Sequence, residues 1–315
     1  MSFGDDLLHE FREEQKIDKD RNEVALFRCL NHALVNIKRY HKNYTIAELH
    51  GKKGEVAYYN TVSLSRISGE VNKSNCEMSD LVFIVYSKYK KECRLTYMQN
   101  KLEVRFIKKR KPTFFLDSVQ LGLLKGRPKI EISGSRKKLP AMVVHQRILK
   151  DALLASVGSY GVFYNIKASN DIYDMFYCSA NIIDYINPLL GRRKHIAVKW
   201  NSSNKIQTIC GYNERQYAME IKEFGDALVS LEIGTPLNEL YISLFQKAIA
   251  NSMDGKVDFC KINSKELVQS DRVGKLDESD ENRVIEKEID MDKVFIAAKS
   301  VFIIDADSIK SNIIR

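Results

Sequence analysis

Leu26, Leu30, Ala33, Leu34 and Ile37 recur at the spacing of one helical face, and Asn22 stands where an N-cap would, so residues 22–41 are expected as a helix. A shorter helix is expected over residues 5–15. Beyond them the apolar runs shorten and flank turn residues. Strands are expected near Thr45–Leu49 and Glu55–Leu64, with Gly51 and Gly54 between them, and then a hairpin from Cys76 to Val104 about a lysine-rich turn. FFLDSVQLGLLKG predicts a helix over 114–125, ended by Gly126 with Pro128 just beyond. A strand follows at Lys129–Ser133, a helix at Ala141–Ala155, and a second hairpin whose arms Gly161–Ile166 and Tyr173–Ser179 flank KASND.

Helical periodicity returns over Tyr212–Glu232 and Pro236–Ala250, the latter with Thr235 as N-cap and Pro236 at the first helical position. Residues 271–292 are rich in acids and read as a solvated loop before a last apolar segment, Val294–Ile304. Strands mixed with helices predict an α/β (mixed α+β) protein. Residues 1–205 form its expected core, and 206–315 a more helical accessory region for self-association or partner binding.

Composition narrows the class. The 315 residues are 44% hydrophobic and 29% charged, ordinary for a globular domain, and no apolar run approaches the roughly 18 residues of a membrane span. MSFGDDLLHEFREE lacks the basic-then-apolar layout of a secretory signal, so a cytoplasmic protein without a membrane partner is expected. The six cysteines (29, 76, 93, 178, 210, 260) form no CxxC pair and read as reduced, buried thiols. No HExxH, GxxxxGK or GxGxxG occurs, and GSYG at 158–161 lacks the GxSxG spacing of a nucleophile elbow. The glycines of SVGSYGVFY suit either a close approach to a ligand or another backbone, or a bend entering a strand.

The net charge of +9 is unevenly placed. Lys88 to Lys138 holds sixteen Lys and Arg against four acids (Glu92, Glu103, Asp117, Glu131), a net +12. A basic segment attracts a polyanion because neutralising phosphates releases condensed counterions. A solvated lysine-rich face has the same composition.

With the hairpin turn centred between Tyr89 and Lys90, Asp80 faces Gln99, and alternation puts Lys101 on the same face as Gln99. Chemically the three suit divalent-metal hydrolysis of a phosphodiester. Asp80 offers a hard anionic oxygen to Mg²⁺ or Mn²⁺, the Gln99 carbonyl and the Asn100 backbone carbonyl offer neutral ones, and Lys101 can orient water and offset charge on a phosphate. The plain alternative is that Asp80 is a turn residue, with Gln99 and Lys101 a solvated exit from the sheet.

Ser79-Asp80 opening an apolar strand, a hairpin, and Gln99-x-Lys101 closing the next resemble the PD-(D/E)XK nuclease superfamily in its Gln-x-Lys, Mrr-like variant. The resemblance spans roughly residues 20–135 and implies an αβββαβ core. It departs in two places: Gln99 stands where the second acid is usual, and Ser79 replaces the proline. The resemblance also implies a further acid, for which Glu77, Glu55 and Glu23 are the candidates in that order. It makes Lys88, Lys90, Lys91, Lys108, Lys109, Arg110, Lys111, Arg136, Lys137 and Lys138 candidates to hold a nucleic-acid backbone, DNA before RNA. The implied activity is a Mg²⁺-dependent endonuclease of restriction or anti-phage defence, with a homo-oligomer or a partner protein gating it. The alternative is a non-catalytic nucleic-acid-binding or scaffold subunit of a larger complex.

Overall fold

In a computed structural model of the chain, the described residues are 1–41, 49–50, 55–62, 71–77, 79–104, 113–126, 130–134, 142–144, 158–166, 172–180, 183, 195–199, 218–237, 242 and 298–310. Two capped helices come first. Ser2 caps α1 (Phe3–Ile17): its hydroxyl accepts the Asp5 N–H while the Asp5 carboxylate accepts the Ser2 N–H, both at 3.2 Å. Asn22 caps α2 (Glu23–Asn36) by accepting the Ala25 N–H at 2.9 Å, as its position in the sequence implies. A 3₁₀ turn, Ile37–Arg39, ends this part.

Strands then dominate: β1 (Leu49–His50), β2 (Glu55–Val62), β3 (Val71–Cys76), β4 (Ser79–Ser87), β5 (Glu92–Val104) and β6 (Thr113–Asp117). Helix α3 (Ser118–Gly126) is followed by β7 (Ile130–Gly134), β8 (Met142–Val144), β9 (Gly158–Asn165), β10 (Tyr173–Ser179), β11 (His195–Lys199) and β12 (Ala218–Glu220). The last described elements are α4 (Ile221–Val229), β13 (Thr235–Pro236), β14 (Ala298–Asp305) and α5 (Ala306–Lys310).

A ten-stranded mixed sheet runs β1-β14-β4-β5-β9-β10-β12, with β6, β11 and β13 attached off this path. β4 is buried along its whole length, as a strand covered on both faces must be. Its antiparallel partner β5 runs parallel to β9, the connection passing through α3, while β14 lies parallel to β4 on the other side. On one face Leu81, Phe83, Met98, Phe163, Tyr177 and Phe302 pack with residues of α1, α2 and α4. On the other, Tyr160, Val162, Phe176 and Cys178 pack with Leu121 and Leu124 of α3 and with Phe114 and Leu116 of β6. The result is the expected mixed α/β class, a sheet with helices on both faces.

Two contacts between distant residues lock the first layer. Asp226 of α4 accepts the Gly4 N–H at 2.8 Å, and a Cβ on Gly4 would stand 1.9 Å from the Lys222 carbonyl oxygen, so α1 and α4 meet backbone to backbone. The Gln15 amide matches the backbone of Tyr173, donating to its carbonyl and accepting its N–H, each at 2.9 Å.

Several expectations are corrected. Residues 113–117 are strand rather than helix, because Phe114 and Leu116 alternate inward and the backbone pairs with β11 and β5; the helix starts only at Ser118. Met142–Val144, expected as the start of a helix, is a strand paired with β7. Thr235 and Pro236 bridge to Leu95 and Arg94 instead of opening a helix. Glu55 and β3 belong to a separate four-stranded sheet, β3-β2-β7-β8, so the strands that precede the hairpin do not sit beside it; β14 takes that place. Elements on both sides of residue 205 share the main sheet. Most of Pro236–Ala250 and all of 271–292 lie outside the described residues.

Candidate active site

The β4–β5 register runs from Leu81 opposite Met98 to Ser87 opposite Glu92, which centres the turn between Tyr89 and Lys90 and brings Asp80 opposite Gln99. Both residues are buried, at 3% and 4% exposure, on the face that α3 covers. One Asp80 carboxylate oxygen, Oδ2, accepts the Gln99 Nε2–H at 2.6 Å and the Asn100 backbone N–H at 2.7 Å. Such charge-assisted bonds are about twice as strong as neutral ones. Ser79 sits at the mouth of β4 between β14 and β5, so Asp80 lies where the strand enters the sheet.

Lys101, two residues beyond Gln99, is mostly buried and places Nζ 3.9 Å from Glu23 Oε1 at the first turn of α2. Glu23, one of the three acids considered in the sequence, is thus seen paired with the lysine. Glu77 contributes its backbone carbonyl, which accepts from Gln120 Nε2 at 3.0 Å. Glu55 stands opposite Gly134 in the second sheet. Asn100 contributes its N–H, and its side chain points to the other face, where a Cβ on Gly161 would lie 2.7 Å from its Oδ1.

Gln120 is the residue that sequence reading missed. It is 5% exposed on α3, and the same Nε2 that reaches Glu77 also donates to Gln99 Oε1 at 2.8 Å. Asp117 sets the start of this helix, its Oδ1 accepting the Val119 N–H at 2.8 Å. α3 seats closely on β9: a Cβ on Gly158 would lie 2.5 Å from the Leu124 carbonyl oxygen, so only glycine admits the helix at this depth. The close approach anticipated for SVGSYG is to another backbone.

The basic candidates divide. Lys88 and Lys91 are exposed at the hairpin tip, whereas Lys90 Nζ donates to the Ser230 carbonyl at 2.8 Å. Asp307 of α5 accepts the Tyr89 N–H at 3.0 Å, so an acid stands beside the tip. The tip lies at the far end of β4 from Asp80, roughly 26 Å along eight strand residues. These three lysines therefore do not border Asp80. Lys108, Lys109, Arg110, Lys111, Arg136, Lys137 and Lys138 lie outside the described residues.

Among the described residues no three His, Cys, Asp or Glu side chains group as a metal site. The chemistry of the donors does suit a hard cation, because Mg²⁺ binds through one or two carboxylates and keeps several waters. Asp80 supplies the carboxylate and Gln99 the amide oxygen. Against it stand the burial of both residues and the orientation of Gln99, whose N–H faces Asp80. The chain matches no protein-family model, no curated protein and no solved structure.

Proposed function

We propose that the chain is a metal-dependent nuclease that hydrolyses phosphodiester bonds in nucleic acid, DNA in the first instance, at Asp80, Gln99 and Lys101. The carrying observation is the meeting of Asp80 and Gln99, 2.6 Å apart at the mouth of the hairpin, with Lys101 two residues further along β5 and its ammonium turned to Glu23 of α2. Asp80 and Gln99 would hold a Mg²⁺ or Mn²⁺ ion, which when bound supplies Lewis-acid activation of the phosphate and of water. Lys101 carries the positive charge that offsets the developing phosphorane, and Glu23 holds its ammonium in place. The PD-(D/E)XK resemblance suggests restriction or anti-phage defence as the setting.

Purified wild type is expected to degrade plasmid DNA with Mg²⁺ or Mn²⁺ and not with EDTA, and Asp80→Ala and Lys101→Ala to lose at least about 100-fold, the scale of one electrostatic group in a site. Single-stranded DNA and RNA run in parallel define the substrate. Cleavage that survives Asp80→Ala would move the site elsewhere.

A second reading is favoured by one observation: Gln99 presents a donor, not a ligand, to Asp80. On that reading the chain binds nucleic acid without cutting it, as a scaffold subunit. Binding in EDTA with a steep salt dependence, unchanged by Asp80→Ala and without cleavage under any metal, is its signature.

A further inference from the structure

The hydrogen bonds around Asp80 form a chain whose direction is fixed at both ends. The Glu77 backbone carbonyl can only accept, so the Gln120 atom 3.0 Å away is its amide nitrogen. That same nitrogen lies 2.8 Å from Gln99, whose atom there must be the oxygen, leaving the Gln99 nitrogen to face Asp80. At the other end the Asn100 backbone N–H can only donate, so Asp80 Oδ2 must be an acceptor. Turning either amide, or both, sets oxygen against oxygen or N–H against N–H. Amide orientation is often ambiguous, but here the network leaves one assignment.

We propose that Gln120 is a positioning residue that keeps the Gln99 carbonyl turned away from Asp80, so that a divalent cation reaches Asp80 only when the Gln99–Gln120 bond is broken. The inference rests on the nuclease reading of the site. Gln99 is buried, so its oxygen needs a donor, and Gln120 is the donor seen in the structure. With the Gln99 oxygen engaged there, the amide cannot join Asp80 in holding a cation, and its N–H occupies one side of the carboxylate. Gln120 rides on α3, so the helix that follows the hairpin sets whether the site admits a cation.

Equilibrium binding of Mn²⁺ to the full-length protein, read by the paramagnetic resonance signal of the free aquo ion, tests this without requiring turnover. Gln120→Met removes the donor without adding charge, and Gln120→Glu replaces it with an acceptor. Both are expected to bind Mn²⁺ about tenfold tighter than wild type, the factor one hydrogen bond of about 1.4 kcal/mol sets. Adding Asp80→Asn to either should abolish the gain. Equal affinity of wild type and both variants, or a gain that persists with Asp80→Asn, overturns the proposal. Circular dichroism and a cooperative melt identify the variants that fold; Gln120→Met decides the comparison, with Gln120→Leu in its place should it not fold, because Gln120→Glu also adds a negative charge beside Gln99. Metal-dependent cleavage by wild type with no change in affinity on replacing Gln120 would reject the positioning role and keep the nuclease. Tighter Mn²⁺ binding through Asp80 with no cleavage by any variant would keep the positioning role and reject the nuclease.

Discussion

Asp174, at the start of β10, is a buried aspartate whose carboxyl is pushed above the ordinary value of 3.8 by desolvation, against the pull of the Met175 N–H and of Arg12 at 3.2 Å. Its protonated form is the one the fold favours. The stability it contributes is therefore complete below the unfolded-chain pKa and is lost as pH rises through the higher folded value. Asp174→Asn, uncharged throughout, should gain stability relative to wild type as pH climbs from 3 to 7, read as a shift in urea midpoints; a difference independent of pH would contradict this. At Asp80 the sequence was informative because alternation and a symmetric turn fix which side chains meet across a hairpin, and the register is the expected one. Gln120 was hidden, and Glu23 ranked last among the candidate acids, for the opposite reason. They reach Gln99 and Lys101 from helices whose position depends on packing rather than on spacing along the chain.

Among the elements, those with local signals were legible. α2 has its cap and its apolar stripe, and the β9–β10 hairpin has two clean apolar arms about a polar turn. Elements decided by distant partners were not: β6 reads helical in isolation and becomes a strand because β5 and β11 lie beside it, an override of local preference by pairing. α3 is the element on which the site depends, and Gly158 is what lets it sit close. Gly158→Ala should lift the C-terminal turn of α3, destabilise the fold by about 1–3 kcal/mol as overpacking does, and weaken the Gln120–Gln99 bond. Chemical denaturation measures the first effect. Faster hydrogen exchange of the α3 amides, with the far strands unchanged, would identify its location.

For the molecule as a whole, the sheet joins the first and last described strands: β14 lies between β1 and β4, and the hairpin tip is tied to Asp307. A chain cut before Ala298 should lose the cooperative melt of the full-length protein and expose β4, detectable as binding of a hydrophobic dye; a truncated chain that melts like the intact one would show that β14 is dispensable. The order of synthesis gives this arrangement a further meaning. β4 emerges from the ribosome roughly 220 residues ahead of the strand that covers its edge, which at 5–20 residues per second is about 10–45 s. During that interval the nascent chain carries an apolar, unpaired edge that invites a holding chaperone. The strand that opens with Ser79 and Asp80 therefore keeps one side open until synthesis has reached β14, whereas the bonds of Asp80 to Gln99 and Asn100 need only the hairpin.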